Sequence, residues 1–178
     1  MSKFFAANTA IILMYASAVL FGQTTPRYTD TENGFSFAPP NGWTRKEDLP
    51  KPLVAYIGKP ENDYAPNFSV NVFSRPVKKT EETKFLESVK TEYKKHGALS
   101  AIQRVKLAGK PAYAWSAKIS LPNYPTVVNR QIVCFHNQRA YELTFTTLPT
   151  HSKKYEPVFA QICASFRFQP LTKPATGK

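Results

Sequence analysis

Between residues 102 and 148 the chain alternates apolar and polar positions in successive runs, with only short turns between them. Ile102 to Leu107 is the first run. Tyr113, Trp115, Ala117, Ile119 and Leu121 mark one face of the next, a long strand. Val127 to Phe135 follows, and then Ala140 to Leu148, in which Tyr141, Leu143 and Phe145 alternate. The connections are Ala108-Gly109-Lys110, Pro122-Asn123-Tyr124-Pro125 and His136-Asn137-Gln138-Arg139. A parallel neighbour needs a crossover of roughly a dozen residues or more, so turns this short force antiparallel pairing. The segment Ile132-Val133-Cys134-Phe135 is apolar at consecutive positions, which predicts a strand covered on both faces.

The remaining elements attach to this sheet. Gly34-Phe35-Ser36-Phe37 reads as a first short strand, and Pro39-Pro40-Asn41-Gly42 fits a type I turn with Pro40 in second place. Trp43 then anchors a core corner; the competing reading, an exposed aromatic-proline ligand or groove, leaves these structural roles unused. Val54–Ile57 and Phe68–Val72 are further strands. A helix is expected from about Glu81 to His96, with Phe85, Leu86, Val89 and Tyr93 on one face, Thr80 as its cap and Gly97 at its end. A second helix covers about Tyr155 to Ser165, with Pro157 in its first turn and Tyr155, Phe159, Ile162 and Cys163 facing inward. Phe166 and Phe168 close with a short strand. The fold class is α+β, an antiparallel sheet with helices packed on it.

The 178 residues suit one domain. Residues 1–22 read as a signal peptide: Met1-Ser2-Lys3 is a short positive start, and Ala10 to Gly22 is uncharged. That apolar run is short for a hydrocarbon core of about 30 Å, which favours a cleaved signal over a retained anchor and leaves no transmembrane domain after cleavage. Leu20-Phe21-Gly22-Gln23 has the form of a lipobox with glutamine where a lipidated cysteine must stand, so no lipoprotein is expected. Residues 23–31 form a lead-in, 32–169 the domain and 170–178 a polar, disordered tail. The expected location is exported, periplasmic or extracellular.

Several short motifs, spread over residues 33–168, resemble the PsbP-like superfamily. They are Gly34-Phe35-Ser36-Phe37 with Pro40-Asn41-Gly42-Trp43, then Leu107-Ala108-Gly109-Lys110-Pro111-Ala112, Arg139-Ala140-Tyr141-Glu142-Leu143, and Ala164-Ser165-Phe166. That superfamily includes the extrinsic PsbP subunit of photosystem II, a Ran-binding nuclear-transport protein and bacterial periplasmic proteins of the DcrB type. The resemblance implies an α-β-α sandwich. It does not imply one function, because members serve as assembly factors and partner-binding modules, and no metal-site or Ran-contact residue of theirs is matched here.

The chemistry-bearing residues are sparse. His96, His136 and His151 fall on a helix end, a hairpin and a loop, without the spacing that converges ligands on a metal, and no Gly-rich phosphate loop occurs. Neither a metal nor another cofactor is expected. Cys134 and His136 share a strand face, yet nothing nearby supplies an oxyanion hole, so a buried cysteine beside a hairpin histidine is the simpler reading and no catalytic residue is assigned. Cys134 and Cys163 are either a disulfide closing a loop of about 30 residues, worth about 3 kcal/mol by chain entropy, or two buried thiols. The net charge of +12 draws anionic partners without selecting among them, and sequence-specific nucleic-acid motifs are absent. Tyr64 and Tyr124, in polar loops near prolines, and Lys94 and Lys95 at the end of the first helix, are the candidate partner contacts.

These readings converge on a non-enzymatic exported accessory protein that binds a protein or an anionic envelope component. The alternative is a small-molecule carrier with an apolar pocket between sheet and helix. A hydrolase built on Cys134 and His136 is the least supported.

Overall fold

The structure, a computed structural model, describes residues 26–50, 53–62, 64–73 and 75–171. The strands are β1 (Tyr28–Asp30), β2 (Phe35–Phe37), β3 (Thr44–Lys46), β4 (Val54–Ile57) and β5 (Asn67–Val72). Helix α1 (Glu82–Lys94) follows, then β6 (Gly97–Leu99), β7 (Gln103–Leu107), β8 (Lys110–Ile119), β9 (Val127–His136) and β10 (Arg139–Thr147). Helix α2 (Ser152–Ser165) and β11 (Arg167–Phe168) close the described chain. The main sheet runs β3-β4-β5-β10-β9-β8-β6, with β7 pairing the first half of β8, and every pairing is antiparallel. A second, three-stranded sheet runs β1-β2-β11.

The two faces of the main sheet are unequal. One face carries Phe68, Val70 and Val72 of β5, Tyr141, Leu143 and Phe145 of β10, and Ile132 and Cys134 of β9. Helix α2 and the small sheet cover it with Tyr155, Phe159, Ile162, Phe35, Phe37 and Phe166. The rings interlock: Phe35 stacks on Phe166 at 5.7 Å and meets Tyr141 edge-on at 6.2 Å. Each ring of this kind contributes about 1.5–3 kcal/mol by burial, so this face holds most of the stabilising apolar surface. The stretch from Phe35 to Trp43 is scaffold, as the sequence predicts. Trp43 stacks on Phe145 at 6.0 Å and meets Tyr155 edge-on at 6.2 Å.

The opposite face takes α1. Leu86 packs on Trp115 and Val133, with Phe85, Val89 and Tyr93 beside it. Only Lys95 and His96 separate α1 from β6, and β6 pairs with the outer part of β8. That short link ties α1 to the β6–β8 edge. It leaves the β5–β10 half of this face only partly roofed by α1, through Phe85 against Phe73 and through Tyr93.

Local details differ from the sequence reading in instructive ways. The turn before Trp43 is one residue later than expected, with Trp43 N–H donating to Pro40 O and Gly42 at φ +75° in third place. Such a φ suits glycine. Thr80 does not cap α1; a 3₁₀ turn over Lys79–Glu81 leads in, and the Glu81 carboxylate accepts from Lys78 N–H at 3.1 Å. Gly97 lies outside the left-handed region and starts β6, where a Cβ would stand 1.8 Å from the Lys118 carbonyl oxygen. It is a close-approach glycine, not a helix terminator. Helix α2 begins earlier than predicted, at Ser152, so Pro157 sits inside it rather than in its first turn. Both Pro157 and Lys153, whose carbonyl is left without a helical donor, are solvent-exposed, which makes the proline tolerable. Part of the expected lead-in is strand β1. The expected signal peptide and most of the expected tail lie outside the described residues.

Two substitutions test this account of the backbone. Ala108 and Gly109 form the β7–β8 turn with φ of +47° and +77°, and a left-handed alanine is strained. Ala108→Gly should raise stability to urea by about 1 kcal/mol. Gly97→Ala should lower it by about 1–3 kcal/mol as β6 is pushed off β8; equal midpoints for Gly97→Ala and the parent would refute the close-approach role.

Candidate functional site

The α1 face of the central strands carries polar side chains where the other face carries rings. Asn67, Ser69 and Asn71 of β5 stand opposite Thr146, Thr144 and Glu142 of β10. These are half-buried. Gln131 of β9, fully buried, joins them: its amide donates to the Tyr93 hydroxyl at 2.5 Å, and its carbonyl accepts from Thr144 Oγ1 at 2.9 Å. Tyr93 therefore marks where the apolar contact of α1 ends and the polar stripe begins.

Beyond that line lies a groove of about 600 Å³ between α1 and the sheet. Its walls are Phe73, Phe85, Val89, Ile119 and Leu121, and its polar groups include Asn71, Tyr93, Glu92, His96 and Glu142. Phe73 and Phe85 meet edge-on at 4.8 Å and close one end. The size and apolar lining match those of small-molecule sites in proteins generally.

Glu142 is the unusual group. Burial pushes its carboxyl up to about 7, and hydrogen bonds from Asn71 and Tyr93 only partly offset this. No ion pair to Glu142 exists among the described residues. Burial, with the Glu142 charge second, also raises the Tyr93 phenol. Glu92, at the groove's edge, differs: Lys95 donates to it at 2.6 Å, His96 lies 3.7 Å away, and its carboxyl is held below the usual range, chiefly by the Lys95 bond.

Three of the four contact residues predicted from the sequence lie on segments that adjoin groove-lining residues, Lys94 and Lys95 next to His96 and Tyr124 on the turn that carries Leu121. Lys94 and Lys95 are exposed at the end of α1, and the β8–β9 connection docks there through Ser120 N–H to His96 O at 3.3 Å. That connection carries the two exposed large hydrophobic residues among those described, Leu121 (44 % exposed) and Tyr124 (73 %). Tyr64 is elsewhere. It is half-buried in the β4–β5 loop and accepts from Asn67 Nδ2 at 3.2 Å. The same loop is clipped to α2 by Glu61, which accepts from Lys154 at 2.7 Å and Tyr155 at 2.6 Å.

Cys134 and Cys163 are free thiols in this structure, and both pack on the α2-side core. Cys134 Sγ is turned to the Pro111 carbonyl, 3.4 Å away. Burial pushes both thiols up to about 12, the reverse of an activated nucleophile. His136 packs against Phe168 with ring centres 4.2 Å apart, and burial lowers its basicity. Full burial of Cys134 removes it as an accessible nucleophile. Among the described residues no three His, Cys, Asp or Glu side chains gather as a metal set. No helix among them is long and apolar enough to cross a membrane.

Glu142, Asn71 and Leu121 are not legible as site residues in the sequence. There Glu142 is simply the outward position of Tyr141-Glu142-Leu143. Only the finding that β10 is paired on both sides and partly roofed by α1 turns that outward position inward.

An antiparallel sheet with helices on both faces, α2 joined by a small sheet and α1 leaving a groove, defines an α-β-α sandwich of the PsbP-like kind. The chain belongs to the PsbP family, whose model matches residues 23–168. No curated protein sequence matches it. Its fold is similar to that of cyanobacterial PsbP (CyanoP) from Synechocystis, with a TM-score of 0.58 at 16 % identity over 86 % of this chain and 98 % of that one. It is likewise similar to LpqN of Mycobacterium tuberculosis, described as involved in cell envelope biogenesis (TM-score 0.58, 13 % identity, 82 % and 90 % covered). A Ran-binding protein of Saccharomyces cerevisiae also shares it (TM-score 0.56, 10 % identity, 82 % and 95 % covered). These likenesses concern the fold, which carries several roles.

The raised carboxyl has a measurable consequence. Between the ordinary carboxylate value of 4.5 and about 7, folded Glu142 keeps a proton that the unfolded chain has released. Its destabilising effect is thus absent below the first value and reaches its full size as pH rises through the second. Urea unfolding should show a loss of about 3 kcal/mol across that window from this group, and Glu142→Gln should remove it. An unchanged pH slope in the variant would contradict the burial.

Proposed function

We propose that the protein is a non-enzymatic, exported accessory protein that works by binding a partner protein, and that it does so at the mouth of the α1 groove. The observation that carries this reading is the exposed pair Leu121 and Tyr124 on a proline-bounded turn beside Lys94 and Lys95. Tyrosine is enriched at the energetic centres of protein contact sites, and the rims of such sites are polar and solvent-accessible. Export rests on the N-terminal sequence and is in keeping with the envelope role described for LpqN. The Ran-binding relative offers a precedent for partner binding on this fold.

A second reading, a small-molecule carrier, is favoured by the groove itself, whose volume of about 600 Å³ and apolar walls suit a ligand rather than a flat contact. The two readings separate by affinity capture from an envelope extract at high salt, comparing the parent with a Leu121→Ser, Tyr124→Ser double variant. The partner reading predicts one dominant protein retained by the parent and released by the variant. Identical captures by both proteins, or only anionic species that wash off in salt, would refute it.

A further inference from the structure

We infer that the α1 groove is a binding site for an organic ammonium ion on an apolar body, with Glu142 as the counter-charge. The inference rests on the carrier reading of the groove and adds the chemistry of its ligand.

Three observations point there together. First, Glu142 lines the groove beside Asn71 and Tyr93, and no cation pairs with its carboxyl among the described residues. Buried carboxylates ordinarily pair with a cation, because an unpaired one loses its hydration without return. Second, this chain has twice as many Lys and Arg residues (24) as Asp and Glu (12), yet among the described residues no lysine or arginine lines the groove. Its acidic lining groups are Glu92, paired with Lys95 at 2.6 Å and flanked by His96, and Glu142, which has no such pair among the described residues. Glu142 is the acid that the protein's own cations leave open. Third, the remaining walls are apolar, with Phe73 and Phe85 at one end and Leu121 at the mouth. A cationic nitrogen reaching Glu142 would complete the missing pair while its alkyl or aryl body covered those side chains. An ammonium N–H donating to a carboxylate is the stronger, charge-assisted kind of hydrogen bond. The overall charge of the protein opposes such a ligand, so binding would reflect the site and not general attraction.

The test uses three probes that share one tail: decylammonium, decanol and decanoate, each below its micelle concentration, titrated calorimetrically into the folded full chain. The expected order is decylammonium tightest, by about tenfold or more over decanol, with decanoate weakest despite the net positive charge. Glu142→Gln, which keeps the shape, should bring decylammonium to within about twofold of decanol. Ser88→Trp, at an exposed lining position, should block all three. Equal binding of the three probes, unaffected by Glu142→Gln, would overturn the ammonium assignment and leave the carrier reading standing. Absence of binding by any probe would overturn both.

Discussion

The structure depends on an asymmetry within one sheet. Along β5, β9 and β10, residues facing α2 are rings and aliphatics, and the alternate residues facing α1 include Asn71, Glu142, Thr144 and Gln131. Period-two alternation assigns each set to one face, and a slip of one residue would exchange them. The apolar face therefore takes α2 and the small sheet together. Sealing the whole polar stripe under an amphipathic helix would require partners for every amide, hydroxyl and carboxyl in it, as Gln131 has in Tyr93 and Thr144. Helix α1 instead settles over Trp115 and Val133 and stops at the stripe, where Tyr93 meets Gln131. The groove is the space left by that compromise.

The covalent path reinforces it. With only Lys95 and His96 between α1 and β6, the helix is tethered to the far edge of the sheet. The last turn is tightened by Lys95 N–H to Glu92 O and His96 N–H to Tyr93 O, and Gly97 allows β6 to approach the β8 backbone. The β8–β9 turn then folds against the helix end and brings Leu121 and Tyr124 to the groove's mouth. Binding features thus arise where the packing of the scaffold is incomplete. On the α2 side the rings interlock, Cys134 is buried and Cys163 half-buried, and Glu61 clips the β4–β5 loop to the helix.

Much of this is legible in the residues. The alternation from Ile102 to Leu148 yields the β7–β10 antiparallel order, and the spacing of Phe85, Leu86, Val89 and Tyr93 yields the inward face of α1. The motifs around Phe35–Trp43 and Ala164–Phe166 carry the family. Strands β1 (Tyr-Thr-Asp), β3 (Thr-Arg-Lys) and β6 (Gly-Ala-Leu) are not visible there, because none has the apolar-polar-apolar pattern that marks Phe35-Ser36-Phe37, and β3 is exposed throughout. Of the candidate contacts, Tyr124, Lys94 and Lys95 stand out by expected exposure and charge, and all three are exposed. Tyr64 stands out by the same rule, but it packs down its own loop. Glu142 does not stand out, because a glutamate alternating with apolar residues normally faces water, and only strand order and helix placement show otherwise.

The position of α1 is the most direct test of the account, and nuclear Overhauser effects in the folded chain measure it. The account predicts cross-peaks from the Tyr93 ring to Trp115 and to the Gln131 side-chain amide, and from Phe85 to Phe73 and Phe135. Cross-peaks from Phe85 or Val89 to Ser69 or Thr146, with none between Tyr93 and Trp115, would place the helix over the polar stripe. That result would mean that the groove does not exist in solution.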